Sequence, residues 1–156
     1  MESYEYYMKE AIRQAKKAWK ADEVPIGCVI VKNGMIIARG YNQREKTQKS
    51  TPHAEIIAIE RACKRIGSWR LEDCDLYVTL EPCPMCAGAI LQSRVRTVIY
   101  GASDPKGGCI ESCMQMYQTK GFNHYPQVVS GVLKEECSGL LTAFFKEKRT
   151  KNRSNT

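Results

Sequence analysis

The chain has 156 residues, 43% hydrophobic and 26% charged, which is enough apolar material for one core and excludes a disordered or fibrous protein. We therefore expect a single domain over 1–149 followed by a basic, flexible tail over 150–156. Lys and Arg number 24 against 17 Asp and Glu, and the resulting charge of +7 fits a polyanionic partner.

Taken in chain order, Tyr4, Tyr7, Met8, Ala11, Ile12, Ala15, Ala18 and Trp19 recur at helical spacing and predict an amphipathic helix over 3–20. Val24–Val31 and Met35–Ala38 are apolar runs joined at Asn33-Gly34, a dipeptide that favours a tight hairpin, so two antiparallel strands follow. The polar stretch 41–52 reads as a surface loop beside a site. A helix opening at His53 sets Ile56, Ile59, Cys63 and Ile66 on one face and is capped by Gly67. Asp75–Leu80, Cys83–Arg94 and Arg96–Gly101 read as strand, helix and strand, a parallel crossover. Gln127–Val132 predicts a last strand and Lys134–Lys148 a last helix, with Cys137, Leu140, Leu141, Phe144 and Phe145 on its apolar side. The fold class expected is α/β, a mixed sheet of about five strands with helices on both faces.

Eight cysteines beside two histidines mean either a disulfide framework or thiols used for metal and packing. The N-terminus lacks the apolar core and cleavage site of a signal peptide, and no apolar run approaches the ~20 residues that cross a bilayer. A cytoplasmic protein with reduced thiols and no membrane attachment is expected.

His53-Ala54-Glu55 opens one helix and Pro82-Cys83-Pro84-Met85-Cys86 opens another, each where side chains converge at a crevice. Cys83 and Cys86, three apart at a helix start, aim their sulfurs the same way, and the positive end of the helix favours thiolates. With one imidazole they give zinc three protein ligands and leave a fourth position for water, the catalytic pattern. Zinc brings the pKa of that water towards ~7, and Glu55 is placed as the proton carrier that hydrolysis needs. Other roles exist for each half: a His at a helix start serves as a cap, and a lone Cys-x-x-Cys serves as a redox pair or half a structural site. A structural site wants a fourth ligand, however. The remaining candidates are His124 and Cys28, Cys63, Cys74, Cys109, Cys113 and Cys137, which form no second Cys-x-x-Cys and are expected to be structural thiols.

At these residues the chain resembles the cytidine-deaminase-like superfamily and, within it, the bacterial tRNA-specific adenosine deaminases. Beyond HAE and PCPMC the likeness takes in EVPIGCVIV at 23–31, GSWRLEDCDLYVTLEPCPMCAGAI at 67–90, YGASDPKGGC at 100–109, FNH at 122–124 and GVLKEECSGLLTAFFKEKR at 131–149, nearly the whole chain. HAE and PCPMC are shared with guanine, cytosine and deoxycytidylate deaminases and so indicate the reaction; the last three segments favour the tRNA enzyme. The resemblance implies a three-layer α/β/α cytidine-deaminase-like fold with one Zn2+ per subunit. It also implies a homodimer, and deamination of the wobble adenosine of a tRNA anticodon, typically in arginine tRNA, to inosine. It assigns Asn42 a hydrogen bond to the target nucleotide, Ile26 a place in the base pocket, and Lys106, Phe145 and Arg149 contacts with the anticodon stem-loop. Phe145 fits the core face of its helix and Ile26 a core strand equally well, and Lys106 and Arg149 also fit ordinary solvated charges. Pro52 and Ile110-Glu111 stand where the family commonly has small residues, and Glu111 brings negative charge to a loop expected near RNA.

Three readings follow: a tRNA adenosine deaminase, a small-molecule guanine or cytosine deaminase with the same zinc core, and a non-catalytic zinc-dependent RNA-binding protein. A free-base enzyme wants its pocket closed by the C-terminal segment, whereas residues 146–156 hold five Lys or Arg against one Glu, an open basic end suited to phosphate. Against the third reading, Glu55 beside three ligands has no purpose unless a proton moves.

Overall fold

The computed structural model of the chain describes residues 3–154. Helix α1 (Tyr4–Lys20) starts at Ser3, whose hydroxyl accepts the Tyr6 N–H at 3.2 Å. Its buried stripe is Tyr7, Met8, Ala11, Ile12, Ala15 and Ala18; Tyr4, at the first turn, is exposed. Strands β1 (Gly27–Lys32) and β2 (Met35–Tyr41) pair antiparallel about Asn33 and Gly34, with φ of 51° and 75°. Two positive φ values are what the tight turn of a twisted hairpin requires. β1 starts three residues later than the apolar run because Pro25 has no N–H for the ladder, and the Ile26 N–H turns back onto the Val24 carbonyl at 2.8 Å.

A single turn, α2 (Arg44–Thr47), lies inside the stretch expected to be irregular. Next come α3 (Ala54–Ile66), β3 (Cys74–Leu80), α4 (Pro84–Gln92), β4 (Thr97–Ala102), β5 (Gln127–Val129) and α5 (Lys134–Ser154). α3 ends as expected at Gly67, whose left-handed φ of 70° lets its N–H reach the Cys63 carbonyl at 2.9 Å. β5 stops short of Val132 because Gly131, at φ 79°, turns the chain towards α5.

The sheet order is β2-β1-β3-β4-β5, with β1 antiparallel to both neighbours and β3, β4 and β5 parallel. Alternation along β1 sends Cys28 and Ile30 to one face and Val29 and Val31 to the other. The first pair packs with α3 and α4, and the second with α1 and α5, so the fold is the three-layer α/β/α arrangement implied by the resemblance.

The layers approach closely at two glycines. A Cβ on Gly27 would lie 2.0 Å from the Ala11 carbonyl of α1, and one on Gly40 would lie 2.6 Å from the Ala54 carbonyl of α3. The second approach corrects the expected core face of α3. So near to β2, only Ala54, Ala58 and Ala62, with Ile59, fit underneath, and Ile56, Cys63 and Ile66 sit at its margin.

α5 differs from its sequence reading twice. Seven residues after buried Cys137 the helical repeat returns to Phe144, also buried, while Phe145 stands about 100° further round and is 43% exposed. The helix also runs on to Ser154, past the Lys148 end and through most of the segment expected as a flexible tail. A Glu147–Lys151 pair at 3.1 Å favours that extension, and residues 155–156 of the expected tail lie outside those described.

Candidate active site

Two helix N-termini meet beyond the C-terminal end of β3. His53 is the N-cap of α3 and Cys83 the N-cap of α4, and neither side chain bonds the helix it caps. They turn towards each other: His53 Nδ1 lies 3.6 Å from Cys83 Sγ and 3.5 Å from Cys86 Sγ. Asn42 takes over the vacated cap, its Oδ1 accepting the Ala54 N–H at 2.9 Å. Pro84, at the first position of α4, costs that helix no hydrogen bond and fixes the turn that brings Cys86 beside Cys83.

The donor atoms of His53, Cys83 and Cys86 lie within 4.8 Å of one another, the one such convergence among the described residues. Zinc bonds of ~2.3 Å to sulfur and ~2.0–2.1 Å to nitrogen at a tetrahedral angle set S and N about 3.6 Å apart. The two observed spacings match that value without rearrangement, so the site is built for one zinc ion. In the metal-free chain the Cys83 thiol is pulled down to about 4 by its hydrogen bond with Cys86, helped by His53. Cys86 is pushed far up by the same bond and by burial, and Cys83 raises His53. These neighbours favour the thiolate form of Cys83, the form that binds a metal.

Glu55 follows His53 into the first turn of α3 and is 4% exposed. Burial raises its carboxyl to about 7, with the Cys83 charge acting in the same direction. It lines a pocket of about 180 Å³ with Val24, Ile26, Asn42, Arg44 and His53, closed by Leu80, Glu81, Cys83 and Asp104.

Glu81, at the end of β3, is 2% exposed and anchors the next loop. Its oxygens accept the N–H groups of Asp104, Ile110, Glu111 and Ser112 at 2.8–3.2 Å and the Ser112 hydroxyl at 2.5 Å. Burial alone would raise the carboxyl, but these donors outweigh it and hold it below its ordinary range. Glu111, flagged for its charge, accepts the Tyr100 hydroxyl at 2.5 Å and braces the same loop against β4.

Residues 1–102 match the model of the cytidine and deoxycytidylate deaminase zinc-binding region. The chain belongs to this deaminase family. It is 59% identical over 150 residues to a tRNA-specific adenosine deaminase of Bacillus subtilis (strain 168), covering 96% of this chain and 93% of the relative. A tRNA-specific adenosine deaminase of Agrobacterium fabrum is 46% identical over 92% of this chain and 95% of its own. Among solved structures, one from a study of A-to-I editing by tRNA:A34 deaminases at the wobble position of transfer RNA superposes with a TM-score of 0.84. It shares 45% identity, covering 87% of this chain and 99% of that one. A Bacillus subtilis guanine deaminase superposes less fully, with a TM-score of 0.63 at 43% identity over 65% of this chain and 66% of that one.

In this deaminase fold the residues singled out from sequence separate into three places. His53, Glu55 and Cys83 share the pocket with Asn42 and Ile26, while Cys86 is fully buried beside His53 and does not line it. Phe145 lies in an adjoining groove of about 520 Å³ with Ala21, Asp22, Glu45, Lys46 and Lys148; Val24 borders both cavities. Lys106 and Arg149 are exposed and line neither cavity. Arg44, Glu81 and Asp104 also line the pocket and were not singled out. A charged residue directly before Pro-Cys at the end of an apolar strand was the available signal for Glu81. Nothing local marked Arg44 or Asp104, which loop closure brings in.

Proposed function

We propose that the chain hydrolyses adenosine to inosine at the wobble position of a tRNA anticodon, with arginine tRNA as the typical substrate. The observation that carries this is buried Glu55 lining one pocket with His53 and Cys83, two members of the His53-Cys83-Cys86 metal triad. Among the described residues none of α5 lines that pocket, which supports an open site rather than one closed by the C-terminal helix as a free-base enzyme would need. Identity to tRNA-specific adenosine deaminases over almost the full length supports the same choice.

His53, Cys83 and Cys86 would hold the zinc ion, which when bound would supply Lewis acidity that brings a water's pKa towards ~7. Glu55 moves the protons: its carboxylate takes one from the attacking water and delivers it to adenine N1, then takes the second from the new C6 hydroxyl and passes it to the C6 amino group, which leaves as ammonia as that C–N bond breaks and the C6 carbonyl forms. Water and adenosine thereby become inosine and ammonia. Asn42 has committed its Oδ1 to Ala54, which leaves its Nδ2 to donate to the nucleotide, and Ile26 supplies the apolar wall. The target base enters this pocket only after leaving its stack. From the adjoining groove Phe145 stacks a neighbouring base, and Lys106 and Arg149 meet backbone phosphates.

The protein acts as a homodimer in the cytoplasm. Exposed Met114, Phe122 and Tyr125 support an interface between copies, and eight cysteines with no disulfide among them suit a reducing compartment.

The test is incubation of the purified protein with an arginine tRNA transcript, free guanine and free cytosine. Inosine confined to the wobble position is expected; xanthine or uracil in place of inosine would overturn the assignment. Glu55→Ala is expected to keep zinc and tRNA binding while losing turnover by about a thousandfold, within the range of positioned acid–base groups. Retained turnover would remove Glu55 from its role.

A further inference from the structure

Glu23 carries a charge in a place where the chemistry of the pocket does not use one. It is 1% exposed and lines neither the pocket nor the groove. Its position is set by the end of α1. Asp22 takes a left-handed φ of 62°, and the Glu23 N–H reaches back to the Ala18 carbonyl at 2.9 Å, the closure that stops a helix firmly.

From that fixed point the carboxylate crosses to α2. Oε1 accepts the Glu45 N–H at 2.9 Å and Oε2 accepts the Lys46 N–H at 2.7 Å. These are first-turn amides of a helix whose own N-cap, Gln43, makes no side-chain capping bond. Glu23 is therefore the cap of α2, supplied from another element with a full negative charge. The base of the same loop is tied to the metal site by the Gln43 N–H on the Pro52 carbonyl at 3.0 Å, one residue before His53.

The segment fixed at both ends has three basic residues, Arg44, Lys46 and Lys49, against Glu45. Arg44 faces the pocket that holds Glu55, and Lys46 faces the groove that holds Phe145. A one-turn helix does not persist in water unaided, so its orientation depends on its anchors. We infer that Glu23 is a positioning residue for polyanion docking: by capping α2 it holds Arg44 and Lys46 as a basic bridge between the pocket and the groove, along which an RNA backbone is guided to the site.

This rests on the proposed tRNA reading and deepens it by naming what steers the strand. Glu23→Gln is the direct probe. A carboxamide offers one acceptor and one donor where two N–H groups point, so one amide loses its partner and faces a donor. The measurements are zinc content, melting temperature, and kcat and KM for an anticodon stem-loop across a salt series. Zinc near one per chain, kcat within about twofold, KM raised about tenfold and a salt slope smaller by about 1 are expected. A brace with no part in docking would lower the melting temperature and leave KM and the salt slope as in the wild type, and that result overturns the inference. If Glu23→Gln does not fold, Arg44→Ala with Lys46→Ala carries the test, since a bridge that matters must show the same KM and slope changes when its charges are removed. Wild-type protein is the control: should it fail to produce inosine, the proposed function falls, and stem-loop binding by anisotropy still decides the role of Glu23.

Discussion

Glu55 and Glu81 are buried carboxylates of one pocket, and their neighbours give them opposite characters. Burial dominates at Glu55 and lifts it to about 7, where it can both accept and release protons; at Glu81 the Ser112 hydroxyl and four amides overcome burial and keep it an anion. Glu81 and Gly108 are fitted to each other, since a Cβ on Gly108 would stand 2.3 Å from Glu81 Cδ. Gly108→Ala is therefore expected to destabilise the protein by about 1–3 kcal/mol through overpacking. In a Glu81→Ala background the same change should cost almost nothing, because the clashing group has gone; additive losses in a double-mutant melt would rule out this coupling. His53, Glu55, Cys83 and Cys86 were legible as letters because their spacing and helix context are local. Glu81 offered only its place before Pro-Cys, since all five of its donors come from residues 104–112, which only the folded loop brings to it.

Elements explain why the metal triad needs no distortion. α3 and α4 each begin at a ligand, and both helices give up self-capping there, with Asn42 filling one vacancy from the end of β2. The hairpin turn, the Gly67 cap and the parallel β3-α4-β4 unit could all be read from sequence, because turn chemistry and apolar periodicity are short-range. The face of α3 could not, because it is decided by how closely Gly40 lets the helix approach β2. α5 brings the basic C-terminus beside the groove of Phe145, and Lys148 there pairs with Asp22 at 2.8 Å across to the end of α1. That exposed ion pair adds little to stability. Removing residues 146–156 is accordingly expected to leave zinc content unchanged. The same truncation should weaken stem-loop binding about tenfold near physiological salt and flatten its salt dependence. Unaltered binding in a filter or anisotropy assay would mean the basic end does not touch RNA.

Across the whole molecule the eight cysteines report how the layers close. Cys28 lies between β1 and α3, and burial pushes its thiol well above the ordinary range; Cys137, under α5, is pushed up to about 12 by burial. A raised pKa leaves the neutral thiol in place at pH 8, and the neutral form does not alkylate. Brief iodoacetamide treatment of the zinc-loaded protein at pH 8 is thus expected to modify exposed Cys113 first and to spare Cys28, Cys137, Cys83 and Cys86; early modification of Cys28 or Cys137 on mass analysis would contradict the layer packing. By itself the sequence determined the His53, Cys83 and Cys86 metal set, the α/β class and the basic run over 146–156, since each is written in neighbouring residues or in helical and strand periods. Only the tertiary structure decided that Phe145 faces a groove, that Glu81 and Glu23 each bind a loop by its amides, and that Arg44 reaches the pocket. Those depend on contacts between residues far apart in the chain, where hydrogen bonds and steric fit are settled after the layers have packed.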